Sequence, residues 1–199
     1  MMKFKTIFSP NYTKIIRDKK SIKFIILHYT GMQSERASLK RLTSEKTNVS
    51  AHYLINRNGK IVKMMDEKKI AWHAGKSKWK NFTNLNSKSI GIEIVNKGHK
   101  FGYEKFTKKQ ILKLILLCKF LMKKYKIRNN NILAHSDIAP LRKKDPGEKF
   151  PWFFLSQKGV GSWFITKKKN IQKTKNKNLR DNFFNNLHKI GYRYLTKKE

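Results

Sequence analysis

"SIKFIILHYTG", residues 21–31, is the stretch on which the fold turns. Its apolar run is short and β-branched, with Lys23 before it and Gly31 after it. A run of that length and composition fits a buried strand better than a helix. His28 then falls at the strand's carboxyl end, where α/β folds commonly place their chemistry. A second short apolar run, "NILAH" at residues 131–135, also ends on a histidine. "SKSIGIEIVNKG", residues 87–98, alternates Ile90, Ile92 and Ile94 with Gly91, Glu93 and Val95, the period of a strand with one apolar face. "SAHYLINRNGKIVKMM", residues 50–65, reads as a hairpin turning at Asn58-Gly59.

Helical segments separate these strands. "FTKKQILKLILLCKFLMKKYKI", residues 106–127, has apolar residues covering a wide face, and Thr107 with Gln110 three residues later forms a capping-box pattern. Residues 34–46 suit a polar helix with Leu39 and Leu42 on one face. "AWHAGKSKW", residues 71–79, is expected as loop, and "FPWFFLSQKGVGSWF", residues 150–164, as a closing loop with a turn of helix. The fold class is therefore α/β. From about Ile165 the texture changes: "TKKKNIQKTKNKN", residues 166–178, is basic and low in complexity. Leu179, Phe183, Leu187 and Ile190 then share one helix face. The expected division is a domain over 1–165, followed over 166–199 by a basic linker and a short helix. That helix is too small for a core of its own and should dock or fray.

Composition sets outer bounds. The 199 residues can bury one good core. Lys+Arg minus Asp+Glu is 47 − 12 = +35, which attracts any polyanion: nucleic acid, acidic membrane or anionic wall polymer. The lysines are scattered over the whole chain, however, so a compositional bias accounts for them without a dedicated site. The single cysteine, Cys118, excludes an intrachain disulfide and sits in an apolar helical run, where an inert buried thiol is expected. The start carries no apolar stretch long enough for a signal peptide, and Lys119 and Lys123 interrupt the longest apolar run, so no membrane span is expected.

Six histidines occur, at 28, 52, 73, 99, 135 and 188. If the strands ending at His28 and His135 are neighbours, both imidazoles meet at one edge of a sheet. In "HSDIAPLRKKDPG", residues 135–147, Pro140 and Pro146-Gly147 punctuate a reversing loop that can bring Asp145 to the same place. Two histidines and one carboxylate leave a fourth tetrahedral position open, the pattern of a catalytic zinc site. No local metal signature joins residues so far apart in sequence, and packed core or surface histidines remain the alternative.

The ordered blocks "ILHYTG", "SAHYLINRNGKIVKMM", "AWHAGKSKW", "LNSKSIGIEIVNKG", "AHSDIAPLRKKDPGEKFPW" and "GVGSW" resemble bacterial zinc-dependent N-acetylmuramoyl-L-alanine amidases, relatives of the peptidoglycan recognition proteins. The resemblance runs over roughly residues 20–164 and lies nearest the AmiD branch, then AmpD. It implies a mixed β-sheet flanked by helices, with a groove across a zinc ion (Zn2+) held by His28, His135 and Asp145. It matches Glu93 and Lys143 to the family's catalytic carboxylate and lysine. Trp72 and His73 are candidates to line the substrate groove, with core or rim packing as the equal alternative. His52 is expected as a packed hairpin residue, and His99 and His188 as incidental. The substrate implied is peptidoglycan or a muropeptide, cut between N-acetylmuramic acid and L-alanine by a monomer. The terminal helix reads as a remnant of a peptidoglycan-binding domain. A missing signal peptide points to the cytoplasm and the resemblance to the periplasm or outer membrane. The rival readings are a non-catalytic wall-binding module and a basic nucleic-acid-binding protein; no nucleic-acid motif supports the latter, so such contact is expected to be incidental.

Overall fold

Apolar residues on both faces of the 24–29 run bury it at the centre of the molecule, and that placement organises everything around it. The computed structural model describes residues 4–164 and 179–194. Its strands are β1 (Lys5–Thr6), β2 (Tyr12–Thr13), β3 (Phe24–Tyr29), β4 (Tyr53–Ile55), β5 (Ile61–Lys63), β6 (Ile70–Ala71), β7 (Lys78–Trp79), β8 (Phe82–Thr83), β9 (Ser89–Ile94) and β10 (Ile132–Ala134). The α-helices are α1 (Glu35–Thr43), α2 (Lys108–Tyr125), α3 (His135–Ile138), α4 (Trp152–Gln157) and α5 (Leu179–Ile190).

Six strands form one sheet in the order β1-β5-β4-β9-β3-β10. The pairs β4–β9, β9–β3 and β3–β10 are parallel, whereas β4–β5 is the antiparallel hairpin expected at Asn58-Gly59. The sheet is therefore mixed, with helices on its faces. The segment expected as loop at 71–79 is mostly irregular, but its ends enter two small ribbons, β2–β6 and β7–β8.

Strand alternation divides the core. Ile25, Leu27, Ile90, Ile92 and Ile94 face α2, whose Ile111, Leu114, Leu117, Cys118 and Leu121 are buried against them. Burying those four aliphatic side chains of α2 stabilises the layer by at most about 6–12 kcal/mol. Thr107 caps the helix as its spacing implied: its hydroxyl accepts from Gln110 N–H at 3.1 Å, while the Gln110 side chain accepts from Thr107 N–H at 3.0 Å. On the opposite face Phe24 and Ile26 pack with Leu133 and Ile138, and Leu54 packs with Leu42 of α1. His28, Gly91 and Glu93 point to this second face, where a cleft replaces helix cover.

The linker expected over 166–178 lies outside the described residues. The terminal helix forms as α5, with Leu179, Phe183 and Ile190 exposed. Its end docks: Lys80 N–H donates to the Gly191 carbonyl at 2.8 Å, and the Tyr192 ring packs edge-on against Trp79. Tyr192 also donates its hydroxyl hydrogen bond to Asp137 on α3. No helix among the described residues is long and apolar enough to cross a membrane.

Candidate metal centre

Two adjacent parallel strands deliver the first two donors. His28 lies near the end of β3, and His135 follows the last register pair between β10 and β3, Ala134 with Leu27. Both imidazoles thus reach the same rim of the sheet. Asp145 returns to them because the intervening loop is tied at its ends, Ser136 N–H donating to the Asp145 carbonyl at 3.0 Å. Inside the loop, Ala139 N–H bonds to the His135 carbonyl, and Lys143 N–H bonds to that of Ala139.

The donor atoms converge closely. His28 Nδ1 and His135 Nδ1 are 2.9 Å apart, and each lies 3.0 Å from Asp145 Oδ2. All three residues are buried. Among the described residues this is the cluster of histidine and acidic side chains whose geometry can hold a metal ion. Tetrahedral zinc with bonds of about 2.0–2.2 Å sets its donor atoms roughly 3.3 Å apart, within a few tenths of an ångström of this spacing.

The surrounding hydrogen bonds agree with a cation. His135 Nε2 lies 3.2 Å from the Ala74 carbonyl, an acceptor, so the ring proton belongs on Nε2 and Nδ1 presents a lone pair. Burial, then the neighbouring His135, pushes the His28 imidazolium down to about 4, so this ring is neutral at pH 7. Burial alone would raise the Asp145 carboxyl, but the adjoining His135 and His28 imidazoles hold it below the usual carboxylate range. Three lone-pair donors converging on one another need a shared positive charge, and the donor set suits a borderline metal such as zinc.

Arg142 anchors the wall beside the triad. Its guanidinium donates to the carbonyls of Ala74 and Lys76, the former also facing His135. In sequence Arg142 was one basic residue among many, because its partners lie 66 and 68 positions away. His99, expected as incidental, stacks on Tyr103, faces the Tyr29 hydroxyl at 2.8 Å and pairs with Glu148 at 2.9 Å. Tyr103 in turn donates to the Pro146 carbonyl, bracing the chain just after Asp145. His52 is packed as expected, and His188 is an exposed residue of α5.

A cleft of about 730 Å³ opens over the triad. Glu93 enters it from β9, in register with His28 across the β3–β9 pair. Glu93 Oε2 is buried with no hydrogen-bond partner. Burial, then the charge of Asp145, raises its carboxyl well above the usual range; a dication at the triad would oppose that shift. Lys143 is half-buried in the cleft, close enough for its charge to act on both His28 and Glu93. Lys144, also on the wall, is exposed. Trp72 and His73 line the cleft too, but their polar atoms are engaged elsewhere. The Trp72 indole donates to Thr13 Oγ1 at 3.0 Å, and both His73 nitrogens face protein groups.

Comparison with known proteins gives this arrangement a context. A family profile described as N-acetylmuramoyl-L-alanine amidase matches residues 18–148. The chain is 42% identical over 154 residues to the amidase AmiD of Escherichia coli, covering 71% of this chain and 55% of that protein. It is 41% identical over 105 residues to the 1,6-anhydro-N-acetylmuramyl-L-alanine amidase AmpD of Haemophilus influenzae, covering 52% of this chain and 55% of that one. The chain thus spans little more than half the length of these curated relatives. Among solved structures, it is similar to E. coli AmiD in complex with anhydro-N-acetylmuramic acid-L-Ala-D-gamma-Glu-L-Lys, with a TM-score of 0.77 and 34% identity over 94% of this chain and 77% of that one. It is also similar to AMPDH3 of Pseudomonas aeruginosa in complex with an anhydromuramic pentapeptide, with a TM-score of 0.76 and 30% identity over 96% of this chain and 82% of that one.

Proposed function

The chain belongs to the N-acetylmuramoyl-L-alanine amidase family, and from that membership we propose that it is a zinc-dependent hydrolase. The bond cleaved is the amide between N-acetylmuramic acid and L-alanine, in peptidoglycan or in muropeptides released from it. The observation that carries the reading is a buried, unpartnered Glu93 oxygen in the same cleft as three converging metal donors. The ligands bound by the two structural relatives, an anhydro-muramoyl tripeptide and an anhydromuramic pentapeptide, support the substrate class.

His28, His135 and Asp145 would hold the zinc, their donor atoms converging as a metal site requires. The bound metal supplies Lewis acidity toward a carbonyl oxygen and makes attacking water more acidic. Glu93 accepts a proton from the attacking water at Oε2 and returns it to the departing alanine nitrogen, which leaves as a neutral amine. Its lack of any other partner keeps that oxygen available. Lys143, positively charged and half-buried, stabilises the oxygen that gains negative charge as the carbonyl becomes tetrahedral. Trp72 supplies an apolar wall, while Arg41 and Lys100 add positive charge suited to stem-peptide carboxylates. Residues 1–165 carry the whole proposed site as a monomer, and 166–199 are an appendage.

The test pairs metal analysis of the purified chain with mass spectrometry of its products. Both intact peptidoglycan and anhydro-muropeptides are digested, with and without a chelator. Stoichiometric zinc and chelator-sensitive release of stem peptide are expected. Binding to either substrate without product would replace this reading with a wall-binding module.

A further inference from the structure

Four of the six histidines form one buried row that runs from the cleft into the protein. His135 packs edge-on to His28 at 4.4 Å between ring centroids, His28 to His73 at 5.1 Å, and His73 to His52 at 5.8 Å. The family reading assigns the first two to the metal and leaves His73 as a wall residue. We infer that His73 is a positioning residue, which fixes the tautomer and ring orientation of His28 through a directed chain of hydrogen bonds. The inference rests on the zinc reading above and deepens it.

The chain has a determinable direction. Ser89 donates its hydroxyl proton to the Leu85 carbonyl at 2.6 Å, a group that can only accept. Ser89 Oγ therefore accepts from His73 Nε2, 3.3 Å away. With its proton on Nε2, His73 presents a lone pair at Nδ1, which lies 3.0 Å from His28 Nε2. His28 must then carry its proton on Nε2, and its Nδ1 is left as a lone pair aimed at His135 Nδ1 and Asp145 Oδ2. Running the chain the other way would place a proton on the atom meant for the metal. It would also turn the Ser89 hydroxyl away from the Leu85 carbonyl and forfeit that short hydrogen bond. The direction fixed at Leu85 thus settles which nitrogen of a ligand two side chains away is free.

Steric features hold the ring in this place. A Cβ added at Gly91 would lie 2.4 Å from the nearest atom of the His73 ring, far inside contact distance, so β9 can pass over His73 only because residue 91 has no side chain. The Gly91 N–H donates to His52 Nδ1 at 3.0 Å, which secures the strand over the ring. The His73 backbone is pinned as well, its N–H and that of Ala74 both donating to Asn86 Oδ1, at 3.0 and 2.7 Å. A histidine that merely packed would need none of this polar chain.

The test measures zinc affinity by competition with a chromophoric chelator, and the visible absorption of the cobalt-substituted protein, with circular dichroism as the folding check. His73→Phe keeps the ring shape and removes the acceptor for His28. It should weaken zinc binding by about 10- to 100-fold, the usual cost of losing a ligand's outer hydrogen bond, and shift the cobalt bands. His73→Asn can place an amide oxygen near the position of Nδ1 and should stay within about 3-fold of the parent, by the same reasoning. Ser89→Ala, a small change at a buried site, frees the His73 tautomer and should weaken zinc by at least 3-fold, toward the low end of such effects. If His73→Phe does not fold, the Ser89→Ala and His73→Asn pair decides. Unchanged zinc affinity and cobalt spectrum in His73→Phe, or in Ser89→Ala if the former is unfolded, would overturn the positioning role. So would equal losses in His73→Asn and His73→Phe. A parent protein that binds no zinc in the same assay would instead overturn the zinc hydrolase reading.

Discussion

Replacing Glu93 by glutamine should make the metal-free protein more stable and the loaded protein nearly inactive. The two substituents have almost the same shape, so packing on β9 is preserved. No hydrogen bond of Oε2 is lost, because none is made. What changes is charge. Burial, and then Asp145, keep the folded-state carboxyl protonated to well above its ordinary pKa, while in the unfolded chain it ionises normally. As pH rises past the unfolded value the unfolded state loses a proton that the folded state retains, and the wild-type protein loses stability. Glutamine has no such term. The stability difference should therefore grow with pH from about pH 5 upward, at no more than roughly 1.4 kcal/mol per pH unit for one proton. For a chain of this size that is at most about 3–6 °C in thermal midpoint per pH unit. Buried histidines contribute equally to both proteins and cancel in the difference. The assay is differential scanning calorimetry of both proteins with chelator present, at pH 5, 6, 7 and 8. Turnover of an anhydro-muropeptide by the zinc-loaded proteins should fall by about 10²- to 10⁴-fold in the variant, the usual contribution of a general acid–base. A midpoint difference that shrinks with pH would refute the burial argument, and full turnover would refute the proton-transfer role.

Other outcomes follow from the same geometry. Lys143→Met should lower kcat by roughly 10²- to 10³-fold, as loss of one oxyanion-stabilising group does, whereas Lys144→Met should change it less than about 3-fold; equal effects would mean that the half-buried position of Lys143 is irrelevant. In the metal-free Glu93→Gln background, stability should fall as pH drops below about 6.5, because unfolded histidines take protons that the folded protein refuses. Burial, before any neighbouring charge, holds His28 down to about 4 and His52 to about 3, so the loss should continue toward those values. A urea midpoint that is flat between pH 6.5 and 4.5 would contradict it. Tyr192→Phe removes a hydrogen bond to the half-buried Asp137, whose carboxyl desolvation already raises, and should cost about 1–3 kcal/mol in urea unfolding. No change would show that the segment after α5 does not brace α3.

Much of the scaffold was legible because it is written in local patterns. The apolar run at 24–29, the alternation at 89–94, the turn at Asn58-Gly59 and the Thr107–Gln110 cap each act within a few residues, and each produced the expected element. The ligand candidates were legible for a related reason: two short strands each lead into a histidine, so pairing them in parallel is enough to bring the rings together. Family resemblance added roles for Glu93 and Lys143 that composition alone could not separate from the many other charges.

By itself, then, the sequence determined which segments become strands and helices and which side chains arrive at the rim of the sheet. Only the tertiary structure decided how those side chains are held. His52 just before β4, His73 on the loop after β6, and Ser89 with Gly91 on β9 meet beside His28 because β3, β9 and β4 are neighbours in one sheet and the loop folds against them. Arg142 gains its role from carbonyls on a distant loop, and Tyr192 from a carboxylate on α3. Strand order and the direction of a hydrogen-bond chain have no period or spacing in sequence. They are set by which surfaces bury one another, and that is settled only when the whole core closes.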